Sequence, residues 1–322
     1  MRILVTGGAG YIGGFTARRL LARGHTVLVY DNLDAGHDWA VPKACLTVGD
    51  LRDIDHVDHL LVVNRIDAVL HFAASTSVAE SVVNPAKFYQ NNLLNSIALL
   101  ERVRRQAIAR FVFSSTAAVY GTPERVPLTE DHPTKPVNPY GQTKLAFEAM
   151  LADYAAAYGL GATALRYFNA AGAAVDGSLG EDHDPETHLI PLVLQAALGK
   201  RPHIEVFGTD YETPDGTCIR DYVHVEDLAE AHVLALEKQT AGKLAIYNVG
   251  SGTGHSVREV IRTCEGVSGK TIPVKEGPRR AGDPPVLVAA AAKLAAELGW
   301  VPKFPDLRSI VETAWEWHRS RG

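Results

Sequence analysis

Six residues near the start of the chain, Gly8-Ala9-Gly10-Tyr11-Ile12-Gly13, constrain its fold more than any other segment. They follow a short apolar run predicted as a strand over 3–6 and open a helical stretch. The backbone must therefore leave a strand, turn tightly and enter a helix within a few residues. Glycine permits that turn and lets backbone N–H groups approach a pyrophosphate, whose charge the helix N-terminus favours. The spelling alone also occurs in ordinary turns; its position between strand and helix is what points to a dinucleotide.

The same alternation continues. Strands are predicted over 3–6, 26–30, 45–48, 68–71, 111–114 and 162–166, with helices beginning near Ile12, Asp53, Asn91 and Tyr140. Helices long enough for right-handed crossovers imply a parallel sheet covered on both faces, a doubly wound α/β (Rossmann) domain. After Asn169 the pattern loosens into a Gly-, Asp- and Pro-rich stretch over 172–185, then short mixed elements and two C-terminal helices joined by Gly299-Trp300-Val301-Pro302. A helix over 224–238 and a strand over 244–249 are expected to return to the first sheet. The expected division is 1–169 plus about 219–250 for the nucleotide domain, and about 170–218 plus 251–322 for a smaller mixed α/β substrate lobe.

Asp31, at the end of the second strand and some 20 residues beyond the glycines, is placed to accept hydrogen bonds from the adenosine ribose. No arginine follows it to neutralise a 2′-phosphate, which selects NAD over NADP; a turn or cap is the alternative role. Asp50, ending the third strand, is placed to meet the adenine edge or to form a turn. Tyr140 and Lys144 lie four residues apart, on one face of a helix. The preceding strand ends in Ser114-Ser115-Thr116, three hydroxyls at the carboxyl edge where such sheets bind ligands. A phenol with an ordinary pKa of about 10 is a poor base at neutral pH. A neighbouring ammonium and a positive nicotinamide ring stabilise phenolate and are expected to lower that pKa. Tyr140 is then the proton acceptor, Lys144 its positive partner and Thr116 a hydrogen-bond donor to the substrate oxygen.

With these residues in place, the chain resembles the extended short-chain dehydrogenase/reductase superfamily and, within it, the sugar-nucleotide 4-epimerases. The resemblance runs through residues 5–13, Asp31-Asn32-Leu33, His71-Phe72-Ala73-Ala74, Asn91-Asn92, residues 114–121 and the Tyr140/Lys144 pair. Beyond the nucleotide domain it includes Leu165-Arg166-Tyr167-Phe168-Asn169, residues 216–225, and Arg279-Arg280-Ala281-Gly282-Asp283-Pro284. It implies that Tyr140 takes the proton of a UDP-hexose 4-hydroxyl while carbon 4 lends a hydride to tightly held NAD and regains it on its other face. Cofactor contacts are implied for Gly7, Gly10, Tyr11, Ile12, Gly13, Asp31, Asn32, Asp50, Leu51, Phe72, Ala73, Ala74, Asn91, Lys144 and Phe168. The UDP-sugar is implied to meet Thr116, Tyr140, Asn169, Leu189, Phe207, Arg220, Arg280, Asp283 and Leu287. The two arginines suit the diphosphate and Asp283 a ribose hydroxyl, although Arg220 has a surface ion pair with Asp221 as its alternative. The helices near Asn91 and Tyr140 are implied to pack across a two-fold axis in a homodimer.

Three positions depart from the family pattern. Thr116 stands where serine is frequent, which keeps the hydroxyl. Thr76 stands where some members have lysine, which puts one cofactor contact in doubt. Leu287 occupies a position of variable bulk, often aromatic, so UDP-N-acetylhexosamine is an alternative substrate; a UDP-hexuronate is another. A 4,6-dehydratase needs an acid and a base directly after the catalytic hydroxyl, where this chain has Ala117 and Ala118. A non-catalytic NAD-sensing regulator would lack the Tyr/Lys pair that is retained here.

The remaining features narrow the class. A net charge of −5 without a long basic run argues against nucleic acid or a membrane surface as partner. No apolar stretch reaches about 18 residues, and the chain enters its first strand with no room for a signal peptide. Three widely spaced cysteines, Cys45, Cys218 and Cys264, fit reduced thiols in a cytoplasm. No metal is expected: residues 181–188 crowd carboxylates and imidazoles but lack a spacing that aligns ligands on a helix, and His224 and His232 are two turns apart. Trp300, Trp315 and Trp317 read as core.

Overall fold

In the computed structural model, which describes residues 1–280 and 283–321, the strand Arg2–Thr6 lies at the heart of the molecule. Ile3, Leu4, Val5 and Thr6 are all buried, the continuous burial expected of a central parallel strand. It pairs with Thr26–Asp31 on one side and Ala68–His71 on the other. From edge to edge the seven parallel strands run Leu244–Val249, Gly161–Tyr167, Arg110–Ser114, Ala68–His71, Arg2–Thr6, Thr26–Asp31 and Leu46–Val48. The fold is the expected doubly wound α/β sheet, and each predicted strand lies within one residue of its observed bounds. The order reverses between the first and fourth strands, so the chain diverges there and opens a crevice at their carboxyl ends.

Helices cover both faces. Tyr11–Ala22 and Val225–Glu237 pack on one core, which includes Leu20, Leu70, Leu228 and Leu236. Ile54–Val63, Asn95–Arg105 and Pro139–Tyr158 pack on the other through Leu61, Leu99 and Phe147. Pro139–Tyr158 starts where Asn138 accepts a hydrogen bond from Gly141 N–H at 2.8 Å and Pro139 occupies the first turn. It stops at Gly159, whose φ of 75° is left-handed. The onset expected near Asn91 is corrected: the chain is already helical over Pro85–Phe88, passes through a π-helical turn at Tyr89–Leu94, and is regular α only over Asn95–Arg105. The short helix Val78–Val83, capped by Ser77, was not legible, being too brief to carry a period.

A second core lies beneath Leu189–Ala197, Val257–Ser268 and Leu307–Ser320. Beside it, Ile219–His224 pairs with Asn169–Ala171, Gly254–Ser256 and Val286–Leu287. Within 251–322, side chains pack on both cores. Leu294, Leu298 and Trp300 join the first core, where the Trp300 indole N–H donates to the Asp227 carbonyl at 2.8 Å. A large apolar face with one polar atom is satisfied there. Among the described residues no helix is long and apolar enough to cross a membrane.

Candidate active site

The glycine turn is built by steric necessity. Gly7 has φ +70°, and a Cβ there would lie 2.5 Å from the Ala73 backbone nitrogen. At Gly13 a Cβ would meet the Gly7 carbonyl oxygen at 2.2 Å. Only bare backbone lets the turn, the first helix and the Phe72-Ala73 segment come together, and Gly10 closes the turn by donating to the Gly7 carbonyl at 3.3 Å. Asp31 is buried beside it, accepting from Ala9 N–H and Leu33 N–H, both at 2.9 Å. Burial raises its pKa and those backbone donors oppose the rise.

The other expected cofactor residues have varied surroundings. Tyr11 donates to the Gly172 carbonyl at 2.6 Å, linking the first helix to the start of the second layer. Ile12, Leu51 and Phe72 pack on the cores. Asp50 takes a two-pronged contact from the Arg52 guanidinium at 2.9 Å and a bond from the Asn32 amide at 3.0 Å, which together hold its carboxyl well below the usual range. Asn91 donates to Ser75 Oγ at 3.0 Å, and Asn92 clamps the Ser75 backbone. Phe168 packs near Ala117 and Leu287; Ala74 and Thr76 lie in the irregular segment that follows Ala68–His71.

Tyr140, Lys144 and Thr116 converge at the carboxyl end of Arg110–Ser114. All three are buried. Lys144 Nζ donates to the Ser114 carbonyl at 2.9 Å and lies 4.8 Å from the Phe113 ring and 5.9 Å from the Tyr140 ring. Burial lowers the Lys144 pKa to about 7, against the pull of Glu148. Thr116 Oγ1 accepts from Ala118 N–H at 3.1 Å, which leaves its hydroxyl proton to be donated on the Tyr140 side. Burial drives the Tyr140 phenol well above its ordinary range, Tyr167 adds to the rise, and only Thr116 opposes it. The chain's own residues therefore do not lower that pKa, because desolvation of a would-be anion outweighs them.

Beneath this trio lies a polar network that sequence reading missed. Glu148, one turn beyond Lys144, is fully paired with Arg166, whose Nε donates to Glu148 Oε1 at 3.0 Å. Arg166 also reaches the Tyr120 hydroxyl at 3.0 Å, which donates to Asn248 Oδ1 at 2.7 Å. Tyr167 and Ser114 share a 2.7 Å hydrogen bond. The i+4 spacing from Lys144 was a signal for Glu148; Arg166 stands in the motif over 165–169, but nothing in the spacing pointed to their pairing.

Across the crevice, Arg220 does not pair with Asp221. Its guanidinium donates to the Ile219 and Pro284 carbonyls and lies 3.7 Å from Asp283, while the buried Asp221 accepts from Ser251, Gly252 and Ala289. Arg280 pairs with the same Asp283 at 2.8 Å and lies 5.1 Å from the Phe207 ring. Two guanidiniums against one carboxylate leave a positive excess suited to a diphosphate. Asn169 donates to the Asp221 carbonyl at 2.8 Å, and Leu287 is in register with Arg220 while packing toward Ala117 and Tyr120. Leu189 opens the helix Leu189–Ala197. Ala281 and Gly282 of the last motif lie outside the described residues.

A Rossmann sheet with a glycine turn and a buried Tyr/Lys pair defines the class, and residues 3–250 match the NAD dependent epimerase/dehydratase family, to which the chain belongs. It is 50% identical to UDP-glucose 4-epimerase of Halalkalibacterium halodurans over 320 residues, covering 99% of this chain and 96% of that one. Among solved structures it resembles UDP-glucose 4-epimerase from Brucella ovis in complex with NAD, with TM-score 0.94 and 48% identity over 98% of this chain and 97% of that one. It also resembles UDP-glucose-4-epimerase from Stenotrophomonas maltophila with bound NAD and formylated UDP-arabinopyranose, with TM-score 0.94 and 40% identity over 100% and 98%.

Proposed function

We propose that this chain interconverts UDP-galactose and UDP-glucose by inverting carbon 4 through a transient 4-keto sugar, with NAD held at the glycine turn. The convergence of Tyr140, Lys144 and Thr116 at the crevice carries this reading. The close packing that Gly7 and Gly13 permit fits a dinucleotide, since it forms the tight strand-to-helix turn whose backbone N–H groups can meet a pyrophosphate. Asp31 has lone pairs left for ribose hydroxyls beyond its two backbone donors. When bound, NAD supplies the hydride acceptor that returns what it takes.

Tyr140 accepts the proton of the sugar 4-hydroxyl as carbon 4 is oxidised and returns it on reduction. Its phenol is raised by burial, so a cationic ligand ring and a protonated Lys144 must stabilise the phenolate in the loaded site. Thr116, held by its Ala118 contact and facing Tyr140, donates its hydroxyl proton to the sugar oxygen in the loaded site. Arg220 and Arg280 grip the diphosphate, Asp283 binds a ribose hydroxyl, and Asn169, Leu189 and Phe207 line the nucleotide and sugar. Leu287, aliphatic and packed toward Ala117, favours UDP-N-acetylhexosamine as a second substrate, because no aromatic ring narrows the pocket at that position. The family resemblance supports a homodimer through the helical run Tyr89–Arg105 and the helix Pro139–Tyr158, whose outward surface includes exposed Leu94, Ala146 and Ala149. Its reduced-thiol composition supports a cytoplasmic setting. The test is incubation of purified protein with UDP-galactose and no added reductant: UDP-glucose should accumulate to equilibrium, and its absence would refute the reading.

A further inference from the structure

The loop that precedes Leu189–Ala197 folds so that four side chains from a non-helical stretch of eight residues meet at one point. We propose that Glu181, His183, Glu186 and His188 bind one divalent transition-metal cation of the zinc type, which fastens this loop in place. One ligand atom from each residue lies within 4.8 Å of all the others. His183 Nδ1 is 3.4 Å from Glu181 Oε1 and 3.6 Å from Glu186 Oε2; His188 Nδ1 is 2.8 Å from Glu181 Oε1 and 3.2 Å from Glu186 Oε1. Tetrahedral zinc with bonds of about 2.0–2.1 Å requires ligand separations of roughly 3.3–3.5 Å. The four imidazole–carboxylate separations lie around that value, the two to Glu186 through different oxygens, so the side chains must adjust within the 4.8 Å cluster to admit the ion.

The second observation is a deficit. Glu181 is only 3% exposed, yet neither its Oε1, 2.8 Å from His188 Nδ1, nor His183 Nδ1, 3.4 Å from that same oxygen, makes an aligned hydrogen bond. Buried polar atoms left unmatched are costly, and one cation between them satisfies both. Two imidazole nitrogens with two carboxylate oxygens form a borderline donor set that suits zinc better than magnesium. The competing occupant is a pair of protons: burial lowers both histidines, but the carboxylates outweigh it and raise His183 to about 9 and His188 to about 10. Either occupant balances the two carboxylates; only the metal also uses the unaligned geometry.

Four protein ligands leave no open position, which makes the site structural, not catalytic. Its anchors show what it would fasten. The Glu181 carbonyl accepts from the Trp317 indole at 3.0 Å, the Asp182 carbonyl lies 2.9 Å from His37 Nε2, and the Tyr11 ring meets His183 edge-on at 6.2 Å. The loop thus joins the glycine-turn helix, the segment after the second strand and the C-terminal helix. His188, half exposed, gives the ion a way in.

The test uses untagged full-length protein, stripped with a chelator and titrated with zinc chloride at pH 7.5. Calorimetry should give one zinc per chain with a Kd of about a micromolar or tighter, and an excess of about a hundredfold over Kd should raise Tm by about 5 °C. Magnesium chloride should do neither. X-ray absorption on the zinc-loaded protein should report two imidazoles and two oxygens at about 2.0–2.2 Å. His183→Gln and His188→Gln should each weaken binding at least ~100-fold, with circular dichroism confirming the fold; His188, being half exposed, keeps the test available if the His183 variant does not fold. No zinc uptake by the stripped wild-type chain up to about 100 µM, or unchanged binding in His188→Gln, overturns the proposal.

Discussion

Gly13 packs so closely on the Gly7 carbonyl that a single added methyl cannot be accommodated without moving backbone. Gly13→Ala should therefore cost about 1–3 kcal/mol, the usual range for overpacking. The purified variant should carry at least ~10-fold less NAD than wild type, measured by release on heat denaturation; equal cofactor content would refute the steric account. This residue-scale constraint was legible because it is local: strand, turn and helix are contiguous in the chain. The same holds for the pairing of Tyr140 with Lys144. What was not legible is how strongly burial opposes the Tyr140 phenolate, since that depends on the neighbours that Tyr167 and the facing elements supply. Asp50 shows the same limit, because its grip by Arg52 requires a turn conformation that two residues of sequence do not determine.

The helix Pro139–Tyr158 organises the site as an element. Tyr140, Lys144 and Glu148 fall at successive four-residue steps and face inward, while Gln142, Ala146 and Ala149 face outward and are exposed. The buried Glu148–Arg166 pair fixes the inward side to the adjacent strand. Removing one partner of such a pair typically costs about 3–5 kcal/mol, so the network holds Lys144 in place. The outward side leads to a prediction about assembly: sedimentation at micromolar concentration should give twice the chain mass, and Ala149→Arg should give monomer. A monomeric wild type would contradict the proposed dimer. Helix periods and caps were readable, but the π-helical turn at Tyr89–Leu94, which lies beside Pro139–Tyr158, was not, because one widened turn leaves no periodic signal in the sequence.

At the scale of the whole molecule, non-local packing decided what the sequence left open. Trp300 returns to the first core, and residues 181–188 converge through a loop whose shape depends on Trp317 and His37. Buried histidines give a global prediction. His71 and His224 are lowered to about 3 and His232 to about 4, in each case by burial first. Their unfolded value is about 6.5, so as pH falls the unfolded chain takes up protons before the folded one does. Stability is then present above about pH 6.5 and lost as pH falls toward 4, with a slope of up to ~1.4 kcal/mol per pH unit for each histidine. Tm should drop steeply between pH 6.5 and 4.5, and His232→Gln should reduce the slope; a flat Tm over that interval would contradict the assignment. The account as a whole turns on Tyr140 as the proton acceptor. The most direct measurement is UDP-galactose turnover by Tyr140→Phe beside wild type, with bound NAD quantified in both. The expected result is undiminished NAD with turnover reduced by about 10²–10⁴-fold, the usual contribution of general acid–base catalysis. Turnover within a few-fold of wild type would contradict it.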